Sequence, residues 1–423
     1  MTTQTPVAPD PPIKVGEPVL RWTARAHSIP EIETELARIW AQQDLTVDTD
    51  GAPGRHIAAR TSVMNLVVVA RRPEIAERSA ATIQMLTGRH PSRTIVIQSA
   101  DPDGPSWLDA RVEAHCIMPR ADAPETCAET IHLVCGGEAG RHLSAIATPL
   151  IIHDLPVTVW WPGEPSLKDR SAMDLLTGAD RLIVDGSSWS GDGLARLREL
   201  AGLLETTHLA ISDFALVRQS RWREAIASIF DDADFLPYLR SLRRIAVTYG
   251  THDETGAPGS TNLVKPIYHV GWLASRLDLT VVKPLAQFAG GRAPAATRPA
   301  RGGTVKPVVN RGLVATLSDG RAEVGVVIRP VVSPMPAGTT LRVELLAERR
   351  GSELRADVTA EAETVHVRVW QDGVEAFDRH FRAARRGEVD LLAEAIENGG
   401  RDPVAVGALR SAAQLIGPDG KTA

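Results

Sequence analysis

The residues most able to do chemistry are loop glycines, one His/Arg turn, one Trp pair and three cysteines. Gly136-Gly137-Glu138-Ala139-Gly140 stands between a strand-like run and a helical run. There, backbone N–H groups and a helix dipole can hold a phosphate. The spacing is not the Gly-x-Gly-x-x-Gly of a dinucleotide site, and Glu138 would compete with an anion, so a plain tight turn is the favoured reading. Gly186-Ser187-Ser188-Trp189-Ser190-Gly191 offers a similar loop and no stronger pattern. Neither a Walker A run nor Gly-x-Ser-x-Gly occurs. His90-Pro91-Ser92-Arg93 sits between a helix end and a strand. His90 and Arg93 could take a carboxylate or phosphate of a partner, Arg by its planar fork. Equally, they could cap the helix and fix the turn. Asp154 precedes a strand ending in Trp160-Trp161. Adjacent strand residues face opposite ways, so one indole is a candidate for a groove or partner contact, with burial of both as the competing reading. Asp154 reads by default as a turn cap.

The 12 histidines show no His-Glu-x-x-His, and the three cysteines no Cys-x-x-Cys. Cys116, Cys127 and Cys135 lie close in sequence, and a bond between Cys116 and Cys135 is conceivable if their strands pair. Free buried thiols are the commoner outcome in a reducing compartment. Asp231-Asp232-Ala233-Asp234 reads as a solvated loop. No convincing catalytic residue, metal set or cofactor loop emerges, and since many enzymes lack such motifs the residues alone leave the function open.

These residues need elements to hold them. Ser28-Ile29-Pro30-Glu31 is a capping box opening a helix with Ile32, Leu36, Ile39 and Trp40 on one stripe. Val63 to Ala70 is a strand buried on both faces; Pro73 starts a helix stopped by Gly88, and Thr94 to Gln98 is the next strand. Strand and helix then alternate through Glu129–Cys135, Glu138–Ile151, Val157–Trp161, Arg181–Val184, Gly193–Leu204 and Leu209–Ser212. Arg111 to Met118 alternates polar and apolar as an antiparallel edge strand would. Helices follow at Arg221–Asp231 and Val264–Leu277. Phe288 to Gly303 is Gly/Pro/Ala-rich without periodicity, and from Thr304 to Phe381 period-two strands take over, with a helical tail at Glu388–Ile416.

The expected organisation is a flexible lead-in over 1–20, an α/β domain over 21–287, a linker over 288–303 and a β-rich domain with C-terminal helices over 304–423. The fold class is α/β: an N-terminal three-layer domain with a parallel or mixed sheet, then a β-rich α+β domain. At 423 residues, two domains are the natural expectation. With 43% hydrophobic and 23% charged residues and a net charge of −5, the composition is that of a soluble globular protein with no general attraction for nucleic acid or anionic lipid. No apolar run reaches the roughly 18 residues of a membrane span, and Met1 to Pro12 lacks the pattern of a secretory signal. A cytoplasmic location is expected.

Several segments, in order, resemble the OpcA family. They are Met64-Asn65-Leu66 with His90 to Arg93, Pro149-Leu150 through Asp154-Leu155-Pro156-Val157 to Trp160-Trp161 and Gly163-Glu164-Pro165, and Arg181 to Asp185. Trp222-Arg223-Glu224 with Phe230-Asp231, Gly271 to Leu277, and Arg401-Asp402-Pro403 continue the series. Ala215-Leu216-Val217 departs from it, where an Asn-Trp pair is expected. The resemblance implies a non-catalytic protein, with no cofactor, that binds glucose-6-phosphate dehydrogenase and favours its active oligomer. It would thereby support NADPH supply in the oxidative pentose phosphate pathway. His90, Arg93, Asp154, Trp160 and Trp161 become the candidate contacts. Cyanobacterial members are associated with thiol control through cysteines near the C-terminus; none follows Cys135 here. The alternatives from the residues themselves are a sugar-phosphate lactonase or isomerase using the Gly136–Gly140 turn, and a thiol-based redox regulator.

Overall fold

The computed structural model describes residues 15–41, 46–48, 55–57, 59–60, 62–100, 103–118, 120, 126–252, 261–288 and 312–417. The chain forms two compact units, Met1–Pro162 with Lys168–Asp180, and Gly163–Leu167 with Arg181–Ala423.

The first unit runs β1 (Val19–Ala26), α1 (Ile29–Ala41), the short β2 (Thr46–Asp48), β3 (Arg55–Ile57) and β4 (Ala59–Arg60), then β5 (Met64–Ala70), α2 (Pro73–Gln84) and β6 (Ser92–Ser99). It continues through β7 (Trp107–Ile117), β8 (Thr126–Gly136), α3 (Gly137–Arg141), α4 (Leu143–Ala147), β9 (Val157–Trp161) and α5 (Arg170–Thr177). Its main sheet has the order β1-β7-β8-β6-β5-β9. The β8-β6-β5-β9 part is parallel and the β1-β7-β8 part antiparallel, the mixed α/β sheet that the alternation implied. All seven residues of β5 are buried, as a strand covered on both faces must be. The cap forms in a shifted version: the amide of Glu31 meets Ser28 Oγ at 3.4 Å, while Glu31 Oε2 accepts at 2.8 Å from the amide of His27, one residue before the cap.

Three expectations change here. β7 is antiparallel but interior, because β1 takes the edge; its Val19 and Leu20 were assigned to the lead-in. The single helix over 138–151 is three short pieces, broken at His142 (φ −116°, ψ 62°) and at the 3-10 turn Thr148–Leu150 that holds Pro149. Cys116 and Cys127 stand opposite each other on β7 and β8 and are joined by a disulfide, whereas Cys135 stands opposite Leu108. Register therefore excludes the Cys116–Cys135 pairing considered from spacing, and only Cys135 is the free buried thiol. Burial pushes that thiol up to about 11, which keeps it protonated and unreactive near neutral pH.

The second unit holds a parallel pair, β10 (Arg181–Val184) and β11 (Ala210–Asp213), with α6 (Leu194–Thr206) between them. Next come α7 (Phe214–Val217), α8 (Ser220–Ile229), β12 (Leu242–Thr251), α9 (Val264–Arg276) and β13 (Thr280–Gln287). Then follow β14 (Leu313–Ser318), β15 (Glu323–Val332), β16 (Thr340–Arg349), β17 (Ser352–Ala360), β18 (Thr364–Gln371), β19 (Val374–Arg382), α10 (Glu388–Glu397) and α11 (Pro403–Ile416). Its eight-stranded sheet has the order β13-β14-β15-β12-β16-β17-β18-β19. Two strands from before the Gly/Pro-rich stretch, β12 and β13, thus pair with those after it. Apart from Phe288, the linker expected over 288–303 lies outside the described residues. On one face of the sheet Val343, Leu345, Val358 and Val367 are buried; on the other, Glu344 and Asp357 lie under Arg244, Arg342 and Arg355. The helical tail divides at Asn398-Gly399-Gly400. Among the described residues, no helix is long and apolar enough to cross a membrane.

Three of the segments that carry the resemblance are staples of this unit. Arg181 Nη1 donates to the carbonyls of Ala395 and Ile396 at the end of α10. Arg401 donates to the carbonyls of Leu204, Thr207 and Leu209 around the C-terminus of α6, where a cation is favoured. Asp402 then caps α11 through the amide of Val404, with Pro403 in its first turn. Gly271 lets α9 meet α11 closely, since a Cβ there would lie 2.6 Å from the carbonyl oxygen of Ala408. In an open helix Gly→Ala is favourable by roughly 1 kcal/mol, but overpacking costs roughly 1–3 kcal/mol. We therefore expect Gly271→Ala to lose about 1–2 kcal/mol net, since the clash is with backbone, despite the better helix former. Denaturant unfolding of the second unit checks this, and an unchanged or raised midpoint would refute it.

Candidate functional site

The segments of the first unit that carry the resemblance seen in the sequence converge at the amino ends of three neighbouring parallel strands. Asn65 is in register with Arg93 of β6 on one side and with Val157 of β9 on the other. An amide side chain in an otherwise apolar strand must find hydrogen bonds when buried. Asn65 is 0% exposed and finds three. Its Nδ2 donates to the carbonyls of Ile152 (2.9 Å) and Leu155 (3.2 Å), and its Oδ1 accepts from the amide of Ile152 (2.7 Å). These bonds clamp the connection into β9, in which Asp154 adopts φ +67°, a conformation that aspartate tolerates better than most residues.

Arg93 holds the same connection from the other side. Its Nη1 donates to the carbonyl of Leu150 at 3.0 Å, and its Nε pairs with Glu129 of β8, whose side chain is 1% exposed. Trp40 of α1 donates its indole N–H to the second oxygen of that carboxylate at 2.6 Å. Above these groups opens a groove of about 660 Å³ lined by Glu33, Arg93, Pro149, Ile152, His153 and Leu155. It combines one guanidinium, one carboxylate and an imidazole with apolar walls, chemistry suited to binding a protruding polypeptide surface.

Of the residues singled out from sequence, Arg93 lines this groove, Asp154 is exposed on the connection beside it, and His90 is half-buried in the turn leading into β6. Trp160 and Trp161 are both buried, at 0% and 3% exposure, so neither indole is presented to a partner. The strand they sit on is covered on both faces, which alternation alone could not reveal. Ala215, Leu216 and Val217 are buried as well. Sequence reasoning passed over Glu129, Trp40 and His153. Asn65 carried a usable signal, a lone amide inside an apolar run. Glu129 carried none, because its partners come from α1 and β6.

The glycine loops are occupied by their own chain. At Gly136 a Cβ would run into the Trp107 indole, and at Gly137 (φ +58°) it would lie 2.6 Å from the carbonyl oxygen of Pro105. The amide of Ala139 already donates to Ser106 Oγ at 3.2 Å. In the second unit the Gly186 and Ser187 amides serve carboxylates: Gly186 donates to Asp213 at 2.8 Å and Ser187 to Asp185 at 3.2 Å. With the Ser188 amide donating to the Asp185 carbonyl at 3.0 Å, none of the three amides is left for a phosphate. Asp185 also pairs through both oxygens with Arg218, at 2.7 and 2.9 Å. Burial pushes the Asp213 carboxyl up to about 7, aided by the neighbouring Asp185 and opposed by the amides of Gly186 and Ala215 and the Tyr268 hydroxyl. Such a shift can mark a catalytic acid, but this carboxyl is enclosed at 3% exposure and committed to caps of its own backbone.

Comparison with known proteins places these features. Residues 83–201 match a family described as the glucose-6-phosphate dehydrogenase subunit N-terminal domain, and residues 209–406 match the corresponding C-terminal domain. The OxPP cycle protein OpcA of Synechocystis is 27% identical over 200 residues, 47% of this chain and 39% of that protein. Its namesake in Nostoc punctiforme is 26% identical over 267 residues, 61% of this chain and 51% of that protein. The chain thus spans about half the length, or less, of the curated relatives it matches. Among solved structures, a mutant of KijD10, a 3-ketoreductase from Actinomadura kijaniata, aligns with a TM-score of 0.41 at 10% identity, covering 83% of this chain and 95% of that one. An NAD-binding oxidoreductase from Klebsiella pneumoniae aligns with a TM-score of 0.41 at 11% identity, covering 84% and 94%. Likeness at that level carries no functional argument. The two domain matches together take in most of the sequence, and the chain belongs to the OpcA family.

Proposed function

We propose that this chain is a non-catalytic assembly factor and activator that binds glucose-6-phosphate dehydrogenase in the cytoplasm and favours its active oligomer. In that role it supports NADPH supply through the oxidative pentose phosphate pathway. The supporting family descriptions name a subunit of that enzyme. One observation carries the reading to a place on the molecule. The first-unit segments that carry the family resemblance build a groove at the amino edge of the parallel strands, held by Asn65 and Arg93. Open α/β sheets bind small ligands at the opposite, carboxyl edge, so these residues sit where a cofactor or sugar phosphate would not be expected. The proposed contacts are Arg93 in the groove with Asp154 and His90 beside it, while Trp160 and Trp161 act by supporting the strand beneath.

A helper of this kind acts by linkage. It binds the active state of the enzyme more tightly than the inactive one, and each ~1.4 kcal/mol of that difference shifts the balance tenfold. Mixing the purified chain with the dehydrogenase of its own organism is expected to give a complex on a sizing column, a larger or more populated active oligomer, and higher activity. Asp154→Arg reverses the charge of an exposed side chain and is expected to weaken that complex at least tenfold. Absence of any complex, with oligomer size and activity unchanged, would reject the proposal. Turnover of a sugar phosphate by the chain alone would replace it with the enzyme reading.

A further inference from the structure

The hairpin of β18 and β19 in the second unit brings two imidazoles and two carboxylates together on the polar side of the sheet. His366 and His380 are direct cross-strand partners, and their rings stack with centroids 4.0 Å apart and 11° between planes. Glu361, in the turn just before β18, reaches both rings. Its Oε1 is 3.5 Å from His366 Nδ1 and its Oε2 is 3.4 Å from His380 Nε2. Thr364 Oγ1 donates to Oε2 at 2.7 Å and fixes the carboxylate. One ligand atom from each of Glu361, His366 and His380 lies within 4.8 Å of the others.

The fourth group decides how these atoms are used. Asp378 Oδ1 lies 2.8 Å from His366 Nε2, so that nitrogen carries a proton and donates it. With Nε2 turned to Asp378, Nδ1 of His366 is the ring atom that faces Glu361, and Nε2 of His380 faces the other carboxylate oxygen. One divalent ion set between them neutralises the carboxylate and takes one nitrogen from each ring, once the two rings tilt out of their stack so that both lone pairs point at it.

We propose that Glu361, His366 and His380 bind one zinc-class divalent cation, with Asp378 orienting His366 from behind. Two imidazoles and one carboxylate suit zinc, nickel or copper better than calcium or magnesium. A carboxylate accepting the far N–H of a ligating histidine is a recurrent support of such centres. Metal bonds of about 2.0–2.2 Å require the ligand atoms to approach to roughly 3.3 Å, a closure of up to about 1.5 Å from their present separations. His380 and Glu361 can make it, since their side chains are 51% and 42% exposed. Three protein ligands leave a fourth position to water.

The test uses the full chain, stripped with a chelator and titrated with Co²⁺ and Zn²⁺. We expect one equivalent of Co²⁺ to bind with a visible d–d band in the parent and to be displaced by Zn²⁺. Glu361→Gln or His380→Asn should weaken binding at least tenfold, and Asp378→Asn by about tenfold, within the range that outer partners of a metal ligand command. Both His380 and Glu361 are surface groups, and the melting temperature of each stripped variant reports whether the fold is kept. The proposal is overturned if the parent and the triple variant Glu361→Gln, His366→Asn, His380→Asn bind Co²⁺ identically. It is equally overturned if NMR finds both rings unmoved by one equivalent of Zn²⁺ at pH 7.5.

Discussion

Replacing Asp213 by Asn is expected to make the second unit lose stability steadily as pH falls from about 6.5 to 4.5, a window in which the parent stays nearly flat. The flatness arises from two buried groups with opposite shifts. Burial, with the Arg223 charge nearby, holds His269 down to about 3 from an ordinary 6.5; its ring is 0% exposed, and neither nitrogen has a hydrogen-bond partner among the described residues. Below pH 6.5 the unfolded chain protonates this ring while the folded chain does not, so stability falls with pH. Burial, with Asp185 nearby, instead raises Asp213 to about 7 from 3.8. Above pH 3.8 the unfolded chain ionises this carboxyl while the folded chain keeps its proton, so stability rises as pH falls from 7. Between about 4 and 6.5 the folded state holds one proton more on Asp213 and one fewer on His269, and the slopes cancel. Each slope alone is about 1.4 kcal/mol per pH unit. In Asp213→Asn the amide oxygen can still accept from Gly186 and Ala215 and its NH₂ can meet the Tyr268 hydroxyl, so the fold is retained and the His269 slope is exposed. The loss between pH 6.5 and 4.5 is then about 2 kcal/mol. His269→Phe, which keeps an aromatic ring against Trp222, should show the mirror trend and gain stability as pH falls from 7. Asp185 does not blur the window. Burial acts to raise its carboxyl but Arg218 outweighs burial and lowers it, so its acid sensitivity appears only below about 4. Urea midpoints of the three proteins across pH 4.5–7.5 decide the matter. Superimposable pH profiles for parent and Asp213→Asn would dismiss the cancellation.

What could be read from the sequence was what short-range periodicity encodes. β5, α2 and β6 follow from a continuous apolar run, a Pro at a helix start and a second apolar run. β10, α6 and β11 repeat that logic, and β15 to β18 show their period-two alternation openly. β12 escaped because its sequence, Leu-Arg-Arg-Ile-Ala-Val-Thr-Tyr-Gly-Thr, is flanked by helices and finds its partners some 80 to 100 residues later. The β1 edge escaped because Pro and Gly residues just before it suggested a lead-in. The cysteine pairing depended on register across a turn, and spacing carries no register. At the groove, the family segments could be quoted from sequence, but not the reason they belong together. Asn65 and Ile152 are 87 residues apart, and Arg93 and Leu150 are 57 apart, so only the parallel pairing of β5, β6 and β9 turns three motifs into one site.

Arg93 tests whether that site is merely built well or also used. Its guanidinium answers a carboxylate that is 1% exposed, and removing one member of a buried pair costs about 3–5 kcal/mol because the other charge stays buried. Arg93→Met is therefore expected to destabilise the first unit by about 4 kcal/mol. Glu129→Gln added to it removes the stranded charge while its amide oxygen can still accept from the Trp40 N–H, so the double variant should recover at least half of the loss. A cost below about 1 kcal/mol for Arg93→Met alone would mean that the pair is screened as surface pairs are, against its burial. The double variant then separates structure from contact. If it is folded and stable yet fails to form the complex with the dehydrogenase, the guanidinium is needed at the interface, through the partner or through its bond to Leu150. If association returns with stability, Arg93 serves only by answering the Glu129 charge, and the partner reads other groups of the connection into β9.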